Sequence, residues 1–308
     1  ERTGGDIYIG VVGPVRTGKS TFIKKFMETL ILPNIIDPYE QERAKDELPQ
    51  SAAGKTIMTT EPKFVPNNAA CIEFDDGFTV NVRLVDCVGY VIPEAKGYKD
   101  EDGIRMVRTP WSEEAMPFND AAKMGTQKVI QDHSTIGIVV TTDGTITDLS
   151  REAYIEAEAE VIDELKQIGK PFIVVVNTAD INSAACSNVV EKLKEKYEVP
   201  VLAMSVNSMS ENDVHNILRE ALYEFPVSQI NINMPQWIAV LNDDHWLKKS
   251  FNETIQESMS AVDKLREVAN ITDTLDQNEF IETSNIATID AGSGIVNVDI
   301  TVAAGLFN

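Results

Sequence analysis

The sequence predicts a three-layer α/β domain with a mostly parallel sheet, followed by a smaller α+β domain. Three observations carry that expectation. Apolar runs alternate with amphipathic runs from the start to about residue 225, the pattern of repeated strand–helix–strand units. The run Phe172 to Val176 is apolar throughout and rich in β-branched residues, as a strand buried on both faces requires. Beyond Gln229 the rhythm changes to one short strand, one long helix and two alternating segments. The expected division is residues 1–228 for the first domain and 229–308 for the second.

Taken in order, Ile7 to Val12 reads as a buried first strand and Thr21 to Leu30 as the helix after a glycine-rich turn. Cys71 to Phe74 and Val80 to Val85 read as an antiparallel pair, with Asp75, Asp76 and Gly77 supplying turn chemistry. The stretch Tyr90 to Gly125 is polar, contains Pro93, Pro110 and Pro117, and reads as a long loop of the kind that carries function. Ile136 to Thr141 is another strand, and Arg151 to Ile168 a helix stopped by Gly169 and Pro171. Its acidic run, Glu152 to Glu164, is expected to be a solvated face. Val189 to Tyr197 and Glu211 to Phe225 are helices flanking the strand Val201 to Ser205. In the second domain a helix is expected from near Asp243 to about Val268, then strands at Ser284 to Asp290 and Gly294 to Val302.

A chain of 308 residues is long enough to bury the cores of two domains. Its net charge of −22 would repel a phosphate backbone, so no nucleic-acid partner is expected. Cys71, Cys87 and Cys186 are odd in number and scattered, which suits a reducing cytosol better than a disulfide framework. No apolar run approaches the roughly 20 residues that cross a bilayer, and no signal peptide is read. The chain starts at Glu1 and stops within an apolar run at Asn308, which reads as a fragment. His133, His215 and His245 lack metal-ligand spacing, and Trp111, Phe118, Trp237 and Trp246 read as core or docking residues.

Chemistry concentrates in the first domain. Gly13-Pro14-Val15-Arg16-Thr17-Gly18-Lys19-Ser20 matches G-x-x-x-x-G-K-[ST] at every position, after a strand and before a helix. Backbone amides of such a loop converge on phosphate oxygens, and the helix adds its positive end. Lys19 is placed to reach the β- and γ-phosphates and Ser20 to coordinate Mg²⁺. Asp86-Cys87-Val88-Gly89 closes a buried strand with an acid that can hold a magnesium-bound water, and a glycine whose amide can meet the γ-phosphate. Together these motifs predict a Ras-like P-loop NTPase.

Between them lies Thr56-Ile57-Met58-Thr59-Thr60-Glu61-Pro62, where Thr59 or Thr60 is the candidate hydroxyl to complete the magnesium shell, although both threonines also suit an edge strand. Asn177-Thr178-Ala179-Asp180 keeps the Asn and Asp of the guanine-reading N-K-x-D pattern and replaces its lysine with Thr178, which leaves the base undecided. Ser205, after the last strand, sits where a base-contacting loop belongs. Tyr90 follows Gly89 where many GTPases carry a water-orienting glutamine. Arg16 stands where cation-dependent relatives often place an asparagine, and is a candidate for a positive charge supplied in cis.

The strings Val15 to Phe26, Lys55 to Pro66 and Asp86 to Tyr90 closely resemble the stage IV sporulation protein A family, the spore-coat morphogenetic ATPases of endospore-forming bacteria. The resemblance implies a TRAFAC-class domain that hydrolyses ATP rather than GTP with Mg²⁺. It implies self-assembly into a homopolymer, the basement layer around the forespore, in the mother-cell cytoplasm. It further implies anchoring through a small amphipathic membrane-bound peptide, and contact with other spore-coat proteins. Carried to this sequence, the triphosphate-binding lysine is Lys19, the magnesium-side acid Asp86, and the sensor threonines Thr59 and Thr60. The candidate nucleotide contacts are Gly13, Val15, Arg16, Thr17, Gly18, Lys19, Ser20, Thr21, Gly89, Asn177, Asp180 and Ser205. The candidate metal set is Ser20, Thr59, Thr60 and Asp86, with Arg16 added to the catalytic set. Two other readings remain: a GTPase switch, favoured by Asn177 and Asp180, and a scaffold that binds nucleotide without turnover, favoured by Tyr90.

Overall fold

The structure is a computed structural model that describes residues 6–49, 62–73, 79–94, 99–100, 103–260, 262–290 and 293–302. The chain divides into two compact units, Glu1–Ala221 and Leu222–Asn308. In the first, β1 (Asp6–Val12) leads through the glycine loop into α1 (Lys19–Phe26). A π-helical turn, Met27–Ile31, and a short α2 (Leu32–Asn34) continue it, and α3 (Pro38–Asp46) follows. Next come β2 (Lys63–Glu73) and β3 (Thr79–Asp86), paired antiparallel. The earlier start of β2 corrects the expected Cys71: its Lys63–Val65 stretch pairs with β3, and the ladder shifts register between Val65 and Ala70. That irregularity hides the strand's alternation. The expected Asp75–Gly77 turn lies outside the described residues.

Most of the described residues of the predicted long loop form regular elements. The segment holds β4 (Lys99–Asp100), β5 (Gly103–Ile104), β6 (Met106–Thr109), β7 (Ser112–Pro117) and α4 (Phe118–Lys128). The helix buries Phe118, Ala121 and Ala122, and alanines carry too little side chain for their spacing to read as an apolar stripe. After it come β8 (Ile136–Thr142), α5 (Glu152–Gln167), β9 (Phe172–Asn177), α6 (Ala184–Tyr197), β10 (Val201–Met204) and α7 (Glu211–Tyr223). α6 starts earlier than expected because the Ser183 hydroxyl caps it, accepting from Cys186 N at 3.1 Å.

Six strands form one sheet in the order β10-β9-β8-β1-β3-β2, parallel except for β2. Every residue of β8 and β9 is buried, so both faces of the sheet centre are covered. β1 lies between β3 and β8, with Val11 opposite Asp86 and Ile138. The turns that follow β1, β3, β8, β9 and β10 therefore share one edge of the sheet, where open α/β folds bind ligands.

The second unit contains β11 (Gln229–Asn233), α8 (Gln236–Ala239), α9 (Trp246–Ser260), α10 (Ala269–Leu275), β12 (Ile281–Asp290) and β13 (Ile295–Val302). β13 is central, parallel to β11 and antiparallel to β12, and buries Val296, Val298 and Ile300. The expected long helix is broken after Ser260. Asp263 O accepts from Val227 N, Leu265 N donates to Phe225 O, and Glu267 Oε2 accepts the amides of Asp263 and Lys264. Those bonds commit the backbone elsewhere than a continuous helix.

Candidate functional site

The loop from Gly13 to Ser20 takes a shape that ordinary side chains resist. Gly18 has φ 93°, and a β-carbon there would sit 2.5 Å from Asn177 Nδ2. Arg16 adopts φ 65° without being glycine. Inside the loop, the Thr17 hydroxyl donates to Pro14 O at 3.0 Å. The Lys19 ammonium, 5 % exposed, donates to Pro14 O at 2.6 Å and Gly13 O at 3.3 Å. Ser20 and Thr21 follow on the first turn of α1, both half-buried. Val15 is buried in the core, and its amide donates to Tyr90 O at 2.9 Å. Val15 therefore ties the loop to the segment after β3.

That segment completes the phosphate end. Asp86 lies at the last position of β3, with its Oδ2 3.5 Å from Ser20 Oγ. Burial pushes its carboxyl up to about 6, while Lys19, the Cys87 amide and the Ser20 hydroxyl pull it down. Burial likewise holds the Lys19 ammonium below its ordinary value, against the pull of Cys87 and Asp86. Gly89, at φ 88°, packs so closely that a β-carbon would lie 2.2 Å from Gly13 O and 2.4 Å from Lys19 Nζ. Only glycine keeps this backbone beside the amine.

The residues present fit a magnesium–nucleotide. Asp86 Oδ1 is buried and has no hydrogen-bond partner among the described residues, beside a serine hydroxyl and a loop amine. Mg²⁺ takes one or two protein oxygens and completes its shell with phosphate and water, which this sparse pair suits. Among the described residues no group of three or more His, Cys, Asp or Glu is placed to hold a metal ion by itself. Thr59 and Thr60, the other expected members of the metal set, lie outside the described residues.

At the base end, Asn177 acts as a brace. Its Nδ2 donates to Thr17 O at 3.0 Å and its Oδ1 accepts Val206 N at 3.2 Å. Asp180 is exposed, with Oδ1 accepting Asn182 N at 2.9 Å. Thr178 is 1 % exposed, its hydroxyl donating to Asp143 Oδ2 at 2.6 Å. Ser205 precedes a 3-10 turn and accepts Ser208 N at 3.0 Å. Sequence reasoning missed Asp143 and Thr145, because an Asp-Gly-Thr after a strand reads as ordinary turn chemistry.

Arg16 pairs with Asp148, Nη2 to Oδ1 at 2.6 Å, across the loop after β8. Tyr90 turns its ring into the core, 3 % exposed, and its phenol donates to Glu164 on α5. The solvated face expected of α5 is thereby corrected in part. Glu158 is buried, paired with Arg151 at 2.6 Å and accepting from the Thr141 hydroxyl. The cysteines are free; Cys87 and Cys186 are buried and Cys71 is exposed. Among the described residues no helix is long and apolar enough to cross a membrane.

A glycine loop with a buried lysine, an acid at the end of the neighbouring strand and a close-packed glycine after it define a P-loop nucleoside triphosphatase domain. Residues 1–226 match the family described as "Stage IV sporulation protein A, ATPase domain", and residues 227–308 match "Stage IV sporulation protein A, middle domain". The chain belongs to the stage IV sporulation protein A family. It is 56% identical over 308 residues to the protein of that name from Bacillus anthracis, and 56% over 308 residues to that from Bacillus subtilis (strain 168). Identity to the Clostridioides difficile (strain 630) protein is 48% over 307 residues. These alignments cover 100% of this chain but only 63%, 63% and 62% of the relatives, so the chain spans under two thirds of their length.

Proposed function

We propose that the chain binds and hydrolyses ATP with Mg²⁺, and that hydrolysis switches it into a form that assembles with copies of itself in the basement layer of the spore coat. The observation that carries the reading is the half-buried Asp86 beside Ser20 and Lys19, whose Oδ1 is enclosed and left without a hydrogen-bond partner among the described residues. Ser20 and Asp86 would hold the metal, which when present supplies charge neutralisation at the β- and γ-phosphates. Lys19 adds a second positive charge, and amides of the glycine loop orient the phosphates. The family's ATPase-domain description supports adenine as the base. Binding to a small amphipathic membrane peptide and to other coat proteins at the forespore surface of the mother-cell cytoplasm rests on kinship alone.

The test is phosphate release by Thr59→Ala combined with Thr60→Ala. Retained nucleotide binding with turnover reduced by roughly a hundredfold or more is expected, as for loss of a group that acts on the reacting phosphate. Turnover at the parental rate would sink the assignment of those threonines. A GTPase reading is favoured by one observation, the exposed Asp180 at the end of the Asn177 loop. Competition of ATP and GTP for one labelled analogue separates the two.

A further inference from the structure

The loop that carries Asp180 is held from behind by a carboxylate. Asp143 follows β8 and is 7 % exposed. Its Oδ1 accepts from Thr145 N at 3.0 Å and Thr145 Oγ1 at 2.6 Å, and its Oδ2 accepts from Thr178 Oγ1 at 2.6 Å. A hydroxyl has one proton to give. The Thr178 hydroxyl also lies 3.2 Å from Asp180 O, but the charged carboxylate at 2.6 Å is the stronger acceptor. With both protons turned to Asp143, the two hydroxyl oxygens are left as acceptors. They take the next two amides of the loop, Ala179 N to Thr145 Oγ1 at 2.9 Å and Asp180 N to Thr178 Oγ1 at 3.1 Å.

One carboxylate thus sets the direction of two relays and clamps residues 178–180 against residues 143–145. Asp143 and Thr178 are buried, whereas Thr145 and the residues presented, Ala179 and Asp180, are exposed. Thr178 offers no surface to a ring. Asn177 fixes the other end of this loop to the phosphate loop, at 3.0 Å from Thr17 O. We infer that Asp143, acting through Thr145 and Thr178, is the positioning residue for the base-facing loop 178–180 and sets purine preference from behind it. The inference rests on the nucleotide-hydrolase reading above.

The experiment compares the near-isosteric Thr178→Val with Thr178→Ser, which keeps the hydroxyl, and both with Asp143→Ala, in the 308-residue chain. A fluorescent non-hydrolysable triphosphate analogue is competed with ATP and with GTP, and phosphate release gives kcat and KM. Thr178→Val and Asp143→Ala are expected to raise KM for ATP about tenfold, the equivalent of one to two hydrogen bonds. They should also shift the ATP-to-GTP affinity ratio roughly fivefold, with the loss in KM rather than kcat. Thr178→Ser should restore the parental ratio. A folded Thr178→Val chain with unchanged KM and ratio, or with its loss confined to kcat, overturns the inference. Should Asp143→Ala not fold, the valine–serine pair decides. If the parent chain binds neither nucleotide, the hydrolase reading itself fails, a different result from an unchanged ratio.

Discussion

The two ends of the candidate site are built by different means. The phosphate end is made of backbone: glycines at positive φ, amides of a tight loop, and a lysine reaching carbonyls five and six residues earlier. The proposed base end is made of side chains: Asn177 at the end of β9, and Asp143, Thr145 and Thr178 in the turns after β8 and β9, with the last three meeting through hydroxyl and carboxylate hydrogen bonds. A phosphate is the same in every nucleotide and can be met by a rigid cradle. A base differs, and its wall is adjustable one side chain at a time.

The sharpest way to break this contrast is Lys19→Ala. Removing the buried ammonium should weaken ATP and GTP alike by at least about a hundredfold, because the contact proposed for it is to phosphate and blind to the base. An analogue titration that showed selective loss of one nucleotide would merge the two ends. The next effect is Asp86→Asn. The folded-state carboxyl lies at about 6, above its ordinary 3.8, so the ionised form penalises the native state. The penalty is full above pH 6 and is relieved as pH falls from 6 towards 4, with a magnitude of about 3 kcal/mol. Asp86→Asn should therefore raise resistance to denaturant by up to that amount at pH 7.5, give almost nothing at pH 4, and lose Mg²⁺-dependent turnover. Equal stability changes at the two pH values would remove the buried-acid account of the phosphate end. The smallest effect is expected at Tyr90→Phe, which deletes the hydrogen bond to Glu164. We expect a loss of about 1 kcal/mol in thermal or denaturant unfolding, with nucleotide affinity and preference untouched. Burial and the neighbouring Glu164 carboxylate hold that phenol far above its ordinary value, so it stays a donor at any working pH.

This contrast also explains what could be read from the sequence. Gly13 to Ser20 is legible because its conformational demands and its charge fall in one short string. The strands β8 and β9 are legible because burial on both faces leaves no polar alternation. Helix α3 was hidden because among its residues only Ala44 is buried, and the rest carry no stripe. The partnership of Asp143 with Thr178 was hidden because 35 residues and a crossover helix separate them, and neither is unusual in its local context. Glu158 looked like its neighbours on an acidic helix, and only packing against Arg151 and Thr141 sets it apart. The strands and helix described between Tyr90 and Gly125 were missed because the strands are short and the helix buries small side chains.

Arg16 has a thermodynamic corollary. A non-glycine residue at φ 65° costs of order 1 kcal/mol relative to glycine, and its ion pair with a partner as exposed as Asp148 returns little of that. Glycine would hold the same turn more comfortably. At this position the loop is less stable than its own backbone allows, and what it has in exchange is a guanidinium at the rim of a phosphate cradle. Heat resistance and charge pull in opposite directions at residue 16, so a chain selected for melting temperature alone would drift there towards glycine.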